Sequence, residues 1–184
     1  MGKVLGGMAM SLDGFVNDSN GSVALLYANF EAFINTDYMQ EQMKSTGAVV
    51  MGRKTYDMGN GDYTGYEYQV SIFVVTHKPP KKAAKGQNSK LKFSFVTDGL
   101  ESAVAQAKTA AGDKDVTVVG GASTIQQLLK AKLLDELHIT VVPILLNEGL
   151  RLFDKLGDHP PRLERLKLIE SPAGRTDIIY RVVK

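Results

Sequence analysis

The chain has no cysteine and no tryptophan in its 184 residues. Without cysteine there can be no disulfide, no thiolate metal site and no thiol nucleophile. A strong charge bias is also missing. Its 22 basic and 20 acidic residues leave a formal net charge of +2, with both signs scattered, which gives nucleic-acid binding little support. No apolar run approaches the roughly 20 residues that a transmembrane helix needs. The N-terminus lacks a basic region followed by an apolar one, so a cytoplasmic protein is the expectation. No His, Asp or Glu grouping has metal-ligand spacing, and no G-x-S-x-G occurs. A redox cofactor that brings its own chemistry fits this inventory better than metal or nucleophilic catalysis.

Hydrophobic content of 43% and charged content of 23% suit a soluble globular protein, and the length suits one domain spanning residues 1–184. Strands are expected at Val4–Met10, Ala48–Met51, Val70–Val75, Lys92–Val96, from Val116, within Leu134–Leu146, and at Arg162–Glu170 and Arg175–Val183. Helices are expected at Phe30–Ser45, ended by Gly47, from Gly52, at Leu100–Ala111, and from about Ala122. Pro143 cannot donate to a ladder and should bend or end its strand. Gly59–Tyr68 and Lys81–Lys90 read as surface loops. Strand and helix alternate between residues 48 and 146, and two strands close the C-terminus. That pattern predicts an α/β fold of about eight strands and four helices, mostly parallel with an antiparallel C-terminal edge.

Ligands of such sheets sit at the carboxyl ends of the strands. Three junctions there carry suitable residues. Gly120-Gly121 lies between a β-branched strand and a helix whose first amides lack intrahelical acceptors, a place for a phosphate. Ser123 and Gln126 match the S-x-x-Q capping box. Gly52-Arg53-Lys54-Thr55 opens another helix, where basic residues are unfavourable unless an anion is present. Thr76-His77-Lys78 follows a third strand. Two carboxylates are candidates for the chemistry. Asp13 borders the first strand. Asp37 lies among apolar residues beside Tyr38, and an apolar wall raises a carboxylate's pKa in a way that suits proton delivery. His138, on an apolar strand, reads as a satisfied core or edge histidine rather than a base.

Ala9-Met-Ser-Leu-Asp-Gly14, Met51-Gly-Arg-Lys-Thr-Tyr56, Phe73-Val-Val-Thr76, Val118-Val-Gly-Gly121 and Val142-Pro-Ile-Leu-Leu146 with Gly149 and Leu152-Phe153 resemble the dihydrofolate reductase-like fold. The branch they resemble most contains the C-terminal reductase domain of bacterial riboflavin biosynthesis. That resemblance implies an eight-stranded sheet with NADPH across it and, in many members, a homodimer, for which the Leu134–Leu146 strand is a candidate. By resemblance, Gly120, Gly121, Ala122, Ser123 and Thr124 hold the pyrophosphate, with a cis Gly120–Gly121 peptide. Gly52, Arg53, Lys54 and Thr55 hold the other side, with Arg53 near the 2′-phosphate. Thr76, His77 and Lys78 flank the adenine, and the Ala9 backbone meets the nicotinamide carboxamide. Folate reductases carry an acidic residue at a fixed distance before the Gly-Arg motif; here that distance falls on Thr36, with Asp37 one step on, about 100° around a helix.

The expected function is an NADPH-dependent reduction of a C=N or C=O in a small pteridine- or pyrimidine-like heterocycle, with Asp13 or Asp37 orienting substrate or relaying a proton. The resemblance also places this chain apart from the zinc deaminase domain that accompanies the riboflavin branch. A non-catalytic NADP(H)-binding or regulatory protein is the alternative. A nucleic-acid module would rest on Lys81–Lys90 alone.

Overall fold

The computed structural model describes residues 2–154 and 156–184. Eight strands form one sheet in the order β4-β3-β2-β5-β1-β6-β8-β7. They are β1 Val4–Ser11, β2 Thr46–Gly52, β3 Ser71–Val75, β4 Lys92–Val96, β5 Asp115–Val118, β6 Glu136–Val142, β7 Arg162–Ser171 and β8 Arg175–Val183. The first six are parallel, β8 runs antiparallel to β6, and β7 antiparallel to β8. Among the described residues there are five α-helices: α1 Phe30–Ile34, α2 Asp37–Ser45, α3 Arg53–Met58, α4 Leu100–Ala111 and α5 Ala122–Lys130. None is long and apolar enough to cross a membrane.

Both faces of the sheet are covered, which is why β2 reads as a continuous apolar run. Ala48 and Val50 join a core built with Ala103, Ala107, Ile125 and Leu128 of α4 and α5. Val49 and Met51 point the other way, into a second core with Ile72, Val74 and Tyr56 of α3. Ile125 and Leu128 are fully buried. Such burial is worth about 1.5–3 kcal/mol for each side chain, and it clamps α5, and hence its N-terminus, to the sheet.

Three expectations need correction. The Phe30–Ser45 helix is split at Asn35-Thr36, which raises the helix count to five. The Thr36 hydroxyl donates to the Phe33 carbonyl at 2.8 Å and accepts from the Met39 amide at 3.3 Å, so it closes one helix and caps the next. Gly47 does not end that helix but lies inside β2. A Cβ there would come within 2.8 Å of Ala111 of α4, so glycine serves close packing. Gly59–Tyr68 is not merely a surface loop. Tyr63 and Tyr68 are buried, and Tyr63 stacks on Tyr56 with centroids 5.5 Å apart. The strand within Leu134–Leu146 is β6, which ends at Val142 and has both edges paired, between β1 and β8. Exposed leucines include Leu145, just past that strand, and Leu163, Leu166 and Leu168 on the edge strand β7.

Candidate functional site

Strands β2 and β5 are neighbours, with Val50 opposite Val118, so their carboxyl ends emerge side by side. The Gly52 amide donates to the Gly120 carbonyl at 3.0 Å. The Gly120–Gly121 peptide is cis, and Gly120 has φ 99°. A Cβ on Gly52 would lie 2.8 Å from the Thr124 Oγ1, and one on Gly120 would lie 3.1 Å from the Met8 Cε. A side chain at either position would crowd its neighbour, and at Gly120 it would also strain the backbone, so main chain lines the junction. Thr55 Oγ1 lies 3.5 Å from the position a Gly121 Cβ would take, so α3 and α5 start against each other.

The expected capping box is not formed. The helix begins at Ala122 with Gly121 as N-cap and no side-chain cap, which puts Ser123 two positions past the N-cap, inside the helix. Ser123 Oγ instead accepts from Gln127 Nε2 at 3.0 Å, and Gln126 Nε2 donates to the Leu152 carbonyl at 2.7 Å. The amides of Gly121, Ala122 and Ser123 find no acceptor among the described residues. Those donors, at the positive end of the helix, suit an anion.

Arg53 and Thr76 are brought together although 23 residues separate them. Arg53 Nε donates to Asp57 Oδ1 at 2.8 Å, and its Nη1 donates to the Lys78 carbonyl and, at 3.4 Å, to Thr76 Oγ1. Nη2 has no partner among the described residues. Lys54, His77 and Lys78 are exposed around it.

Ala9 lies in a stretch of β1 with one unpaired edge. Only Val4 to Gly6 pair with β5, whereas Leu5 to Ser11 pair with β6. From Gly7 onward the edge facing the glycine junction is open, as a group needing main-chain partners requires. Ala9 aligns with Thr140 on β6 and, through it, with Asp177 on β8. Asp177 is buried, and both Thr140 and Ser171 donate their hydroxyls to it.

Of the two carboxylates singled out from sequence, Asp13 lies in the turn just past β1 as expected, and Asp37 is in solvent. Asp13 accepts from Ser11 Oγ at 2.5 Å, from the Asn147 amide at 2.8 Å and from the Leu146 amide at 3.2 Å. The Ser11 bond first, then those amides, hold its carboxyl below the usual range, so it pins the segment after Pro143. Asp37 is exposed in the first turn of α2, away from the apolar wall its neighbours suggested.

Two features were missed. One is a hydrogen-bonded chain from surface to core. Lys3 Nζ meets Glu136 Oε1 at 2.6 Å, Glu136 Oε2 lies 3.1 Å from His138 Nε2, and His138 Nδ1 lies 2.9 Å from Tyr38 Oη. The Glu136 carboxylate can only accept, so a neutral His138 carries its hydrogen on Nε2, and Nδ1 accepts from the Tyr38 hydroxyl. Glu136 would favour an imidazolium, but burial outweighs it and lowers the His138 pKa. The second feature is a cleft of about 400 Å³ whose lining includes Met51, Thr55, Met58, Tyr63, Tyr66 and Glu67. Glu67 is half-buried and its pKa is raised by desolvation. The available signal was compositional: four of the seven tyrosines fall between residues 56 and 68.

The model of the RibD C-terminal domain family matches residues 3–180. The uncharacterized protein YwjB of Bacillus subtilis (strain 168) is 27% identical over 153 residues, 83% of either chain. A putative riboflavin biosynthesis protein from Shewanella sp. PV-4 superposes with a TM-score of 0.78 at 27% identity, over 99% of both chains. A dihydrofolate reductase from Enterococcus faecalis, solved with NADP(H), shares the fold with a TM-score of 0.66 at 15% identity, over 99% of this chain and 97% of that one.

Proposed function

This chain belongs to the RibD C-terminal domain family, and from that premise we propose that it is an NADPH-dependent reductase of a small pteridine- or pyrimidine-like heterocycle. The observation that carries the reading is the bare main-chain junction where Gly52 meets Gly120, flanked by the uncapped amides of α5 and by Arg53. A cradle that a Cβ would fill suits the phosphates of a dinucleotide.

In this reading Gly121, Ala122 and Ser123 hold the pyrophosphate with their amides, beside Thr124 and Thr55. Arg53 presents its unpartnered Nη2 to the 2′-phosphate, with Lys54 and Lys78 adding positive charge and Thr76 and His77 bordering the adenosine. The open edge of β1 around Ala9 offers main-chain partners to the nicotinamide carboxamide. Bound there, the cofactor supplies the hydride for a C=N or C=O of the heterocycle. Asp13 acts by anchoring the segment after Pro143 beside the end of β1.

Parallel titrations with NADPH and NADH, read by nicotinamide fluorescence, test the reading. NADPH binding at least tenfold tighter, a difference of about 1.4 kcal/mol, supports it; equal affinity, or no binding of either, overturns it. A non-catalytic NADP(H)-binding protein is favoured by one observation: Asp13 is tied down and Asp37 is solvent-exposed. NADPH oxidation above background with any pterin, pyrimidine or simple carbonyl excludes that alternative.

A further inference from the structure

The cleft beneath the tyrosine-rich loop adjoins the glycine junction at Thr55, which lines the one and whose Oγ1 lies 3.5 Å from the position a Gly121 Cβ would take in the other. Its walls are aromatic and thioether: Tyr63, Tyr66, Met51 and Met58. Tyr63 and Tyr66 are packed edge to face with centroids 5.2 Å apart, and the bond from Tyr63 Oη to the Tyr56 carbonyl at 2.7 Å fixes the pair. Such walls suit a flat ring.

Two carboxylates reach the cleft and no lysine or arginine lines it. Asp62 is committed to its own turn, accepting from the Thr64 amide at 3.0 Å with Lys85 nearby. Glu67 has no ion pair among the described residues and accepts only from its own backbone. The groups close enough to feel its charge are phenols: Tyr27, Tyr66, Tyr68 and Tyr63. Of these phenols Tyr27 also feels Arg175, but that guanidinium donates to the Ala28 carbonyl and feels Asp177, and it does not act on Glu67. A half-buried carboxylate without a cation is costly unless a ligand provides one.

We propose that Glu67 selects the substrate, and that the cleft takes a flat, nitrogen-rich heterocycle without phosphate, presenting an amidine-like N–C–N edge to the Glu67 carboxylate. This rests on the reductase reading only for the position of the cofactor. A phosphorylated pyrimidine is disfavoured, since its dianion would face Glu67 and Asp62 with no basic residue in the lining. The amidine-like edge, by contrast, matches a carboxylate with two parallel donors.

The test uses calorimetry on the full chain with 2,4-diaminopyrimidine as probe and uridine 5′-monophosphate as its phosphorylated counterpart. Wild type is expected to bind the diaminopyrimidine and not the monophosphate. Glu67→Gln should weaken that binding at least tenfold, and Glu67→Asp should fall between. Affinity should decline on the acid side as Glu67 takes up a proton, and Glu67→Gln should lack that limb. Because burial disfavours the charged side chain, Glu67→Gln should melt no lower than wild type at neutral pH, and NADPH titration of the same sample reports on the rest of the site. Equal diaminopyrimidine affinity in Glu67→Gln, no binding by wild type, or tighter binding of the monophosphate overturns the assignment. If NADPH still binds in those cases, the reductase reading stands; if wild type fails to bind NADPH, that reading falls while the Glu67 result keeps its meaning.

Discussion

Replacing Arg53 with alanine separates a cofactor clamp from a loop fastener. In the folded protein its guanidinium is held by Asp57 at 2.8 Å and by the Lys78 carbonyl. The Arg53–Asp57 pair is an i,i+4 pair with side chains 35% and 54% exposed. Such pairs are worth about 0.3–0.5 kcal/mol. Adding the bond to Lys78, the variant should lose no more than about 1–2 kcal/mol of stability, or about 2–8 °C in Tm for a chain of this size. The loss on ligand binding should be larger. A hydrogen bond to a charged group contributes about 1.5–3 kcal/mol, which is about 10–150-fold in Kd for NADPH. NADH has no 2′-phosphate, so its affinity should change less than about threefold (under ~0.7 kcal/mol). The ratio of the two affinities is therefore the quantity to measure, by fluorescence titration at two salt concentrations, since screening should shrink the wild-type ratio. Arg53→Lys, which keeps the charge and loses the fork, should fall between. Two outcomes refute the reasoning. One is wild-type NADPH affinity in a folded Arg53→Ala. The other is an equal loss for both cofactors with a large fall in Tm, which would make Arg53 a fastener for Thr76–Lys78.

Two further predictions concern the fold around the site. Gly52→Ala introduces a Cβ 2.8 Å from Thr124 Oγ1 at a backbone conformation alanine can adopt, so its cost is purely steric. Overpacking of this kind costs about 1–3 kcal/mol; urea denaturation should show that loss, and Thr124→Ala in the same chain should restore part of it, whereas additive losses would mean the two do not meet. Tyr38→Phe strands His138 Nδ1 without its donor and should cost about 1–3 kcal/mol. Because the His138 pKa is lowered on folding, the unfolded chain binds a proton that the native one refuses. Stability should therefore be full above the ordinary histidine range, about pH 6.5, and decline as pH falls through it. The slope approaches at most about 1.4 kcal/mol per pH unit. A His138→Gln variant that keeps the same acid slope would show that another group causes it.

The sheet was legible because its central strands bury both faces and so stand out as apolar runs, and because Pro143 and Gly112 mark ends that local chemistry enforces. What escaped were features decided at a distance. Nothing local separates Gly47 as a helix stop from Gly47 as a contact for Ala111, since the neighbour lies 64 residues away in the chain. Likewise, an apolar spacing from Phe30 to Ser45 fits one helix until the Thr36 hydroxyl takes the Phe33 carbonyl. The tyrosine-rich segment looked like a loop because its glycines set its backbone, yet its rings are core because β3 and β4 leave Ile72, Val74 and Phe93 to be covered.

The same contrast divides the candidate site. A phosphate cradle is made of main chain, so its requirements appear as glycines and helix starts at strand ends, and these are visible one stretch at a time. Binding of a heterocycle depends on which side chain faces a cleft, and that follows from packing. Counting back from Gly52 leads to Thr36 and Asp37 on the assumption of an unbroken helix; the break at Asn35-Thr36 leaves Thr36 as a cap and Asp37 in solvent. Beside α3, a loop whose tyrosines must be buried carries Glu67 half-way in with them. Burial of Tyr63 and Tyr68 is thus the cause of Glu67's position. A substitution that loosens those rings, such as Tyr63→Ala, should impair recognition at Glu67 without touching the carboxylate itself.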